Sequence, residues 1–334
     1  MDLRHRVRWW ERACELAIAL ALACAAAQSF AQAYPAKPVR VISQAPVGGP
    51  TDIVTRGAAQ QLAQILGQPF VIENRSGANG ILACEACAKA TPDGYTLCAL
   101  NGASVSQNPF MYAKLPYDPV RDFAPVVHMG LMRSALLAHP SLPANTIAQV
   151  FELAKAKPGT ISWSSYGNAS DSHLYMEWLK NVRGLHFLNV PYKTAGQAFA
   201  AVTAGETQLA VYNAGTPVQQ AKPDRLKVLA VIGEEPSAFL PGVPTFKEVG
   251  IPLQINNWSG YFAPAGTPRA VIQQINIEIG KMLATSEFRE KFMTSAGLEA
   301  VRPAGRPVEE FAAFLKADRA AAEELARVVK IQLE

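Results

Sequence analysis

What most constrains this chain is a rhythm of short apolar runs and amphipathic runs that proceeds, breaks off, and starts again. "VRVI" (Val39 to Ile42) reads as a strand and "IVTRGAAQQLAQIL" (Ile53 to Leu66) as a helix. "FVIEN" is a second strand, "GILACEACAKA" a helix, and "TLCAL" a third strand after the turn chemistry of "TPDGY". The stretch from Asn101 to Phe123 is rich in Pro, Asn and Ser and reads as a long loop with a short helical turn; "APVVHMGLMRSALLAH" reads as extended. From Ser141 the rhythm restarts. "TIAQVFELAKAKPG" is a helix stopped by Pro158-Gly159, "TISWSSYG" a strand, "NASDSHLYMEWLKNV" a helix, and "HFLNVPYK", "TQLAVYNA" and "LKVLAVIG" are further strands around a helix, "TAGQAFAAVTAGE". After "WSGYFAPAGTP" come two closing helices. Such alternation favours parallel sheets covered by helices, and the restart favours two α/β lobes.

Ligands of doubly wound sheets gather beyond the carboxyl ends of the strands. Each lobe places a polar turn there. In the first, "SQAPVGGPTD" (Ser43 to Asp52) joins a strand to a helix opening at Thr51. In the second, "SSYGNASDS" (Ser164 to Ser172) does the same, with Ser170 or Asn168 as the cap. Free amides and the positive helix end suit a carboxylate. Taken singly, each turn is more economically read as a connection that caps its own helix. Two of one kind suggest a cleft with matching walls.

Residues 1–33 are a different material. Arg4, Arg6, Arg8 and Arg12 precede an apolar stretch of twelve, "LAIALALACAAA", and Ala31-Gln32-Ala33 is a small-x-small cleavage site. This is the pattern of a secretory signal, too short for a membrane span. Cys24 in "ALAC" offers a lipoprotein alternative, for which Ala21 is a poor residue. The whole chain carries 31 basic and 27 acidic side chains; without the four and three in the leader, the remainder is about +3. That balance argues against nucleic acid as a partner.

The chemistry-bearing residues are few. Cys84 and Cys87 in "CEAC" lie inside a helix with no second metal-spaced pair, so both are expected to pack as small apolar residues. A disulfide from one of them to Cys98 is the alternative in an oxidising compartment. His173 lies within one helical turn of Ser170 and Asp171, whereas hydrolytic triads assemble from separate segments. There is no nucleophile elbow, no phosphate loop and no metal-spaced histidine set, so no cofactor and no metal are expected. An exported α/β protein with an anion-accepting cleft and no visible catalytic machinery suits binding better than catalysis.

The ordered motifs "YPAKPVRVI", "GGPTD", "GQPFVIENRSGANG", "ATPDGYTL", "LPYDPVRDFAPV", "VPYK", "LPGVPTFKEVG" and "FAPAGTP" resemble the Bug family, the extracytoplasmic solute-binding receptors of tripartite tricarboxylate transporters. The resemblance spans Tyr34 to Glu334. It implies a two-lobe periplasmic-binding-protein (Venus flytrap) fold with two crossovers, near Arg133-Ser134 and Asn256-Asn257. Lobe one would be 34–134 plus 257–334, and lobe two 135–256. It implies a carboxylate held by Ala45, Val47, Gly48, Gly49, Thr51 and Asp52 from one turn and by Ser165, Tyr166, Gly167, Asn168, Ala169 and Ser170 from the other. Gly102 to Asn108, with Ser104, and Val190 to Lys193, with Tyr192, would line the pocket. The implied partners are a small carboxylate and a pair of membrane permease subunits, or a sensor; the receptor would be a periplasmic monomer. Two positions depart from the family's pattern. Many members carry an aromatic residue where Ala45 stands and an acidic residue where Tyr212 stands. The expected solute is therefore a carboxylate with an apolar or aromatic body, not an amino acid. A hydrolase or isomerase on the same fold, using Asp171 with His173, is the alternative of a different class.

Overall fold

The computed structural model describes residues 34–167, 170–215, 218, 221–222, 224–233, 235–253, 255 and 257–330. The export signal, the turn residues Asn168 and Ala169, and Asn256 of the second crossover lie outside them. In chain order the elements begin β1 (Val39–Ser43), α1 (Pro50–Leu66), β2 (Phe70–Asn74), α2 (Ile81–Ala88), β3 (Thr96–Asn101), α3 (Asn108–Met111), β4 (Phe123–Met132) and β5 (Ser134–Ala138). They continue α4 (Ile147–Ala156), β6 (Ser162–Ser165), α5 (Asp171–Arg183), β7 (Leu188–Pro191), α6 (Ala195–Ala204), β8 (Leu209–Asn213) and β9 (Lys227–Val231). The last are β10 (Trp258–Pro264), α7 (Arg269–Ala284), α8 (Ser286–Phe288), β11 (Leu298–Glu299) and α9 (Val308–Val329).

Two sheets form, in the orders β11-β4-β10-β3-β1-β2 and β7-β6-β8-β5-β9. They are mixed, not wholly parallel as the rhythm suggested. β1 pairs parallel with β2 and β3, but β10 runs antiparallel between β3 and β4, and β5 antiparallel between β8 and β9. β11 also runs antiparallel to β4; β5 and β10 are the strands on which the chain passes from one sheet to the other, so they arrive without the helix that a parallel crossover requires. β10 carries no strand expectation from its sequence, because Gly260 and Pro264 interrupt it. Nonetheless all seven of its residues are buried. Gly260 is needed there: a Cβ would stand 2.7 Å from the Phe311 ring.

Apolar side chains from both faces of each sheet build the cores. Val54, Ala58 and Leu62 of α1 pack on Val41 and Leu97. On the other face, Ile42 and Leu100 meet Trp258 and Phe311. The second sheet buries Trp163, Leu136 and Val211 against Leu174 and Tyr175 of α5. α1 opens at Pro50 behind Gly49, one residue before the expected Thr51; proline suits the first helical position because its missing amide would be unpaired there. The helix ends at Gly67, whose left-handed backbone returns an amide to Ala63 O.

Cys87 and Cys98 form a disulfide across 6.1 Å between Cα atoms, which ties α2 to β3. The expectation that both residues of "CEAC" only pack is corrected for Cys87. The helix turns it onto the strand, while Cys84 stays a free, buried thiol that burial pushes up to about 12. α9 belongs to both halves. Phe311 and Leu315 pack in a first-sheet core, whereas Leu325 and Val329 pack in a second-sheet core.

Candidate functional site

At the end of β1 the chain leaves the sheet, with Gln44 N–H still bonded to Ala99 O at 3.2 Å. Gly48 then takes φ +76°, which an L side chain adopts only under strain. The resulting turn is braced from within. Asp52, 1% exposed, accepts hydrogen bonds from Gly48 N–H (3.0 Å), Arg56 Nε (2.7 Å) and Asn74 Nδ2 (2.7 Å). Asn74 also donates to Ala45 O at 2.9 Å and accepts from Arg56 Nη2 at 2.8 Å. Burial raises the Asp52 carboxyl, but the hydrogen bonds from Arg56, Asn74 and Gly48 outweigh it and hold the group below the usual carboxylate range.

This arrangement changes the expected roles. The anion on the Gly48 amide is the chain's own Asp52, and Gly49 N–H donates to Pro46 O at 3.1 Å. The Asp52 side chain therefore shapes the turn. Val47 is three-quarters exposed and lines no cavity at the turn. Thr51, at the start of α1, has an amide that makes no hydrogen bond among the described residues. It belongs to the lining of a cavity of about 120 Å³, with Gln44, Ala45, Pro46, Gly49, Pro50 and Asn101.

Gln44 and Asn101 are the polar lining residues that the sequence reading did not single out. Each is the polar residue closing or following an apolar strand, and β1 and β3 are neighbours, so both arrive at one point. Gln44 Oε1 accepts from Asn101 N–H at 3.1 Å and from Ser104 Oγ at 2.6 Å. Ser104 is fully buried, so it acts on the cavity through Gln44 rather than facing it. Gly80 completes the support: a Cβ there would stand 2.9 Å from Gln44 Nε2.

The second turn is built otherwise. Ser165 donates its hydroxyl to Asn189 Oδ1 at 2.8 Å, and its carbonyl accepts from Tyr192 N–H at 2.8 Å. Gly167 has φ +110°, and Ser170 caps α5 by accepting from His173 N–H at 3.4 Å. Tyr192 points its hydroxyl to Glu206, 3.4 Å away. Tyr212 stacks on Phe199 with ring centres 4.5 Å apart. The phenol of Tyr166 is raised first by burial, then by the charges of Asp171 and Tyr212 nearby. Burial lifts the Asp171 carboxyl to about 6. His173, considered from sequence as a partner of Asp171, turns its Nε2 toward Glu177 Oε1 at 4.0 Å, one turn along the same helix.

Among the described residues the cavity at the first turn is lined from the first sheet's half alone. The structure does not bring Ser165, Tyr166, Gly167 or Ser170 onto it. What it does bring together is direction: β6 and β8 end facing the half that carries β1 and β3, because β5 leaves β4 at Arg133 and pairs Ser134 with Asn213 at the end of β8.

Known proteins share this arrangement. The family model described as "tripartite tricarboxylate transporter family receptor" matches residues 54–324. A UPF0065 protein of Bordetella pertussis is 31% identical over 291 residues, 86% of this chain and 88% of its own length. BugT of the same organism is 30% identical over 279 residues, 83% of this chain and 86% of its own. Among solved structures, a Rhodopseudomonas palustris protein with adipate superposes with a TM-score of 0.79 at 28% identity, covering 90% of this chain and 99% of that one. MatC from the same organism, with bound malate, gives 0.75 at 28% identity over 87% of this chain and 99% of its own. The periplasmic binding protein BugD gives 0.76, also at 28% identity, over 90% of this chain and the whole of its own. Two sheets joined by antiparallel return strands, a polar turn at the mouth of each, and this breadth of likeness place the chain in the Bug family of tripartite tricarboxylate transporter receptors.

Proposed function

We propose that this chain is a periplasmic receptor that captures a small carboxylate between its two lobes and delivers it to membrane permease subunits. The observation that carries the reading is the cavity at the first turn, where Thr51, with an amide unpaired among the described residues, joins Gln44 and Asn101 in lining a space without a negative side chain facing it. Two relatives of the same fold and 28% identity hold adipate and malate, both carboxylates. The grip would comprise Ala45, Gly49 and Thr51 with Gln44 and Asn101 on one side, and Ser165 to Ser170 with Tyr192 and Tyr212 on the other. Lobe one would be 34–134 plus 257–334, except that the last turns of α9 lodge in lobe two, 135–256. Closure would join the two turns, driven by ligand contacts made only in the closed state. The leader of residues 1–33 supports export, and capture by a monomer with no chemical turnover follows from the same reading.

Ala45 and the Tyr166–Tyr212–Phe199 wall favour a carboxylate with an apolar or aromatic body. The test is the melting temperature of protein freed of bound solute by unfolding and refolding, against di- and tricarboxylates, aromatic acids and amino acids. A ligand at a hundred times its dissociation constant adds about 2.7 kcal/mol, a shift of several degrees. A strong acid hit is expected. A preference for aspartate or glutamate would overturn the reading of Tyr212, and silence across the panel the carboxylate class.

A further inference from the structure

Behind the hinge lies a second cavity, of about 300 Å³, within the size of small-molecule sites. Sheet order places it. The cleft turns leave β1 and β3 in one half and β6 and β8 in the other, whereas this cavity lies by β4 and β11 in one half and by β9 in the other. The crossover at Met132, Arg133 and Ser134 runs between them and forms part of its wall.

Its walls are mixed: Leu131, Ile232, Ile255, Val301 and Phe314 supply an apolar side, and His128 and Ser134 join Arg133 on a polar one. Within them sits one buried cation. Arg133 is only 5% exposed and pairs with Glu299 through Nε alone, at 2.8 Å. The other Glu299 oxygen accepts from Ser237 Oγ at 2.7 Å, so that carboxylate is fully engaged. The two Nη groups of Arg133 make no hydrogen bond among the described residues. Gly233 makes room for them: a Cβ there would stand 2.8 Å from Nη1. A guanidinium with its terminal fork unmatched, facing a cavity with an apolar side, has the geometry for a bidentate carboxylate. Arg302 and Glu235 at the exposed rim offset each other in sign.

We propose that this hinge cavity is a second binding site, for a small monocarboxylate whose apolar body fills the pocket and whose carboxylate meets the Arg133 fork. The inference rests on hinge geometry alone and holds whatever the cleft binds.

The test uses benzoate as probe and benzamide as its uncharged twin, titrated calorimetrically into the purified protein. Ala45→Trp closes the cavity at the first turn, so binding that persists in it lies elsewhere. In Ala45→Trp benzoate is expected still to bind, through the hinge cavity, with benzamide weaker by about tenfold or more. Added to Ala45→Trp, Val301→Trp fills the hinge cavity from its partly exposed rim and Arg133→Lys removes the fork; each should weaken that remaining benzoate binding by about tenfold or more. Val301→Trp keeps the Arg133–Glu299 pair and so answers even if Arg133→Lys unfolds. Complete loss of benzoate binding in Ala45→Trp, equal affinity for benzamide there, or unchanged affinity when Val301→Trp is added would each overturn the proposal.

Discussion

The two turns at the mouths of the sheets occupy equivalent places and are built by opposite means. The first is held by charge: Asp52 gathers Gly48, Arg56 and Asn74, and Asn74 reaches back to Ala45. The second is held by a cap and a hydroxyl-to-amide bond, with the stacked rings of Phe199 and Tyr212 on the neighbouring α6 and β8, and burial raises its acid, Asp171. The difference teaches that a polar turn beyond a strand can offer an anion two things. A rigid, charge-braced loop presents amides; an aromatic, charge-poor wall supplies shape.

The largest effect should come from breaking the brace. Asp52→Ala leaves Arg56, Asn74 and the Gly48 amide without their common acceptor, and should cost about 3 kcal/mol in urea unfolding. Carboxylate affinity should fall with it, because the cavity lining at Ala45 and Gly49 is set by the same network. Loss of affinity without loss of stability would mean that Asp52 meets the ligand directly.

Next comes Asp171. Its folded pKa, about 6, lies above the ordinary carboxyl value of 3.8, so the stability tied to its neutral form is complete below about 3.8 and is lost as pH rises through 6. Asp171→Asn should remove that loss and gain about 1–2 kcal/mol over wild type above pH 6, and nothing at pH 3.5. A stability difference that does not vary with pH would show that the carboxyl titrates normally.

Smallest is the effect of Tyr212→Glu, which would supply the counter-charge that the second wall lacks. Relative affinity should move toward amine-bearing acids by about tenfold, or 1.4 kcal/mol. Competition between an amino acid and its deaminated analogue measures it, and no movement would place Tyr212 outside the ligand's reach.

Much of this was legible in the sequence because it is local. The strand-to-helix turns, the Ser170 cap and the restart of the rhythm are all written within a few residues. What was not legible depends on distant partners. Whether the Gly48 amide faces a ligand or Asp52 depends on Asn74, from the next strand, and Arg56, a turn into α1. Gln44 and Asn101 look like ordinary strand ends until β1 and β3 are placed side by side. Cys87 finds Cys98 because α2 packs over β3, and no spacing rule distinguishes it from Cys84, three residues earlier. β10 stayed hidden because its glycine and proline are excused by contacts from α9 and β4.

α9 has 22 residues and is therefore about 33 Å long, with one end anchored in each lobe's core. A rod fixed in this way is a lever arm. Turning one lobe by about 10° about a distant axis would carry the far end of the rod through nearly 6 Å, a full helical turn. Leu325 and Val329, seated among close-packed side chains, and the Asn181 bonds to Val328 O and Val329 O could not follow such a sweep intact. A rotation of the lobes about a line near the carboxyl end of the helix would leave that end seated, whereas a rotation about a distant line would have to pull it out.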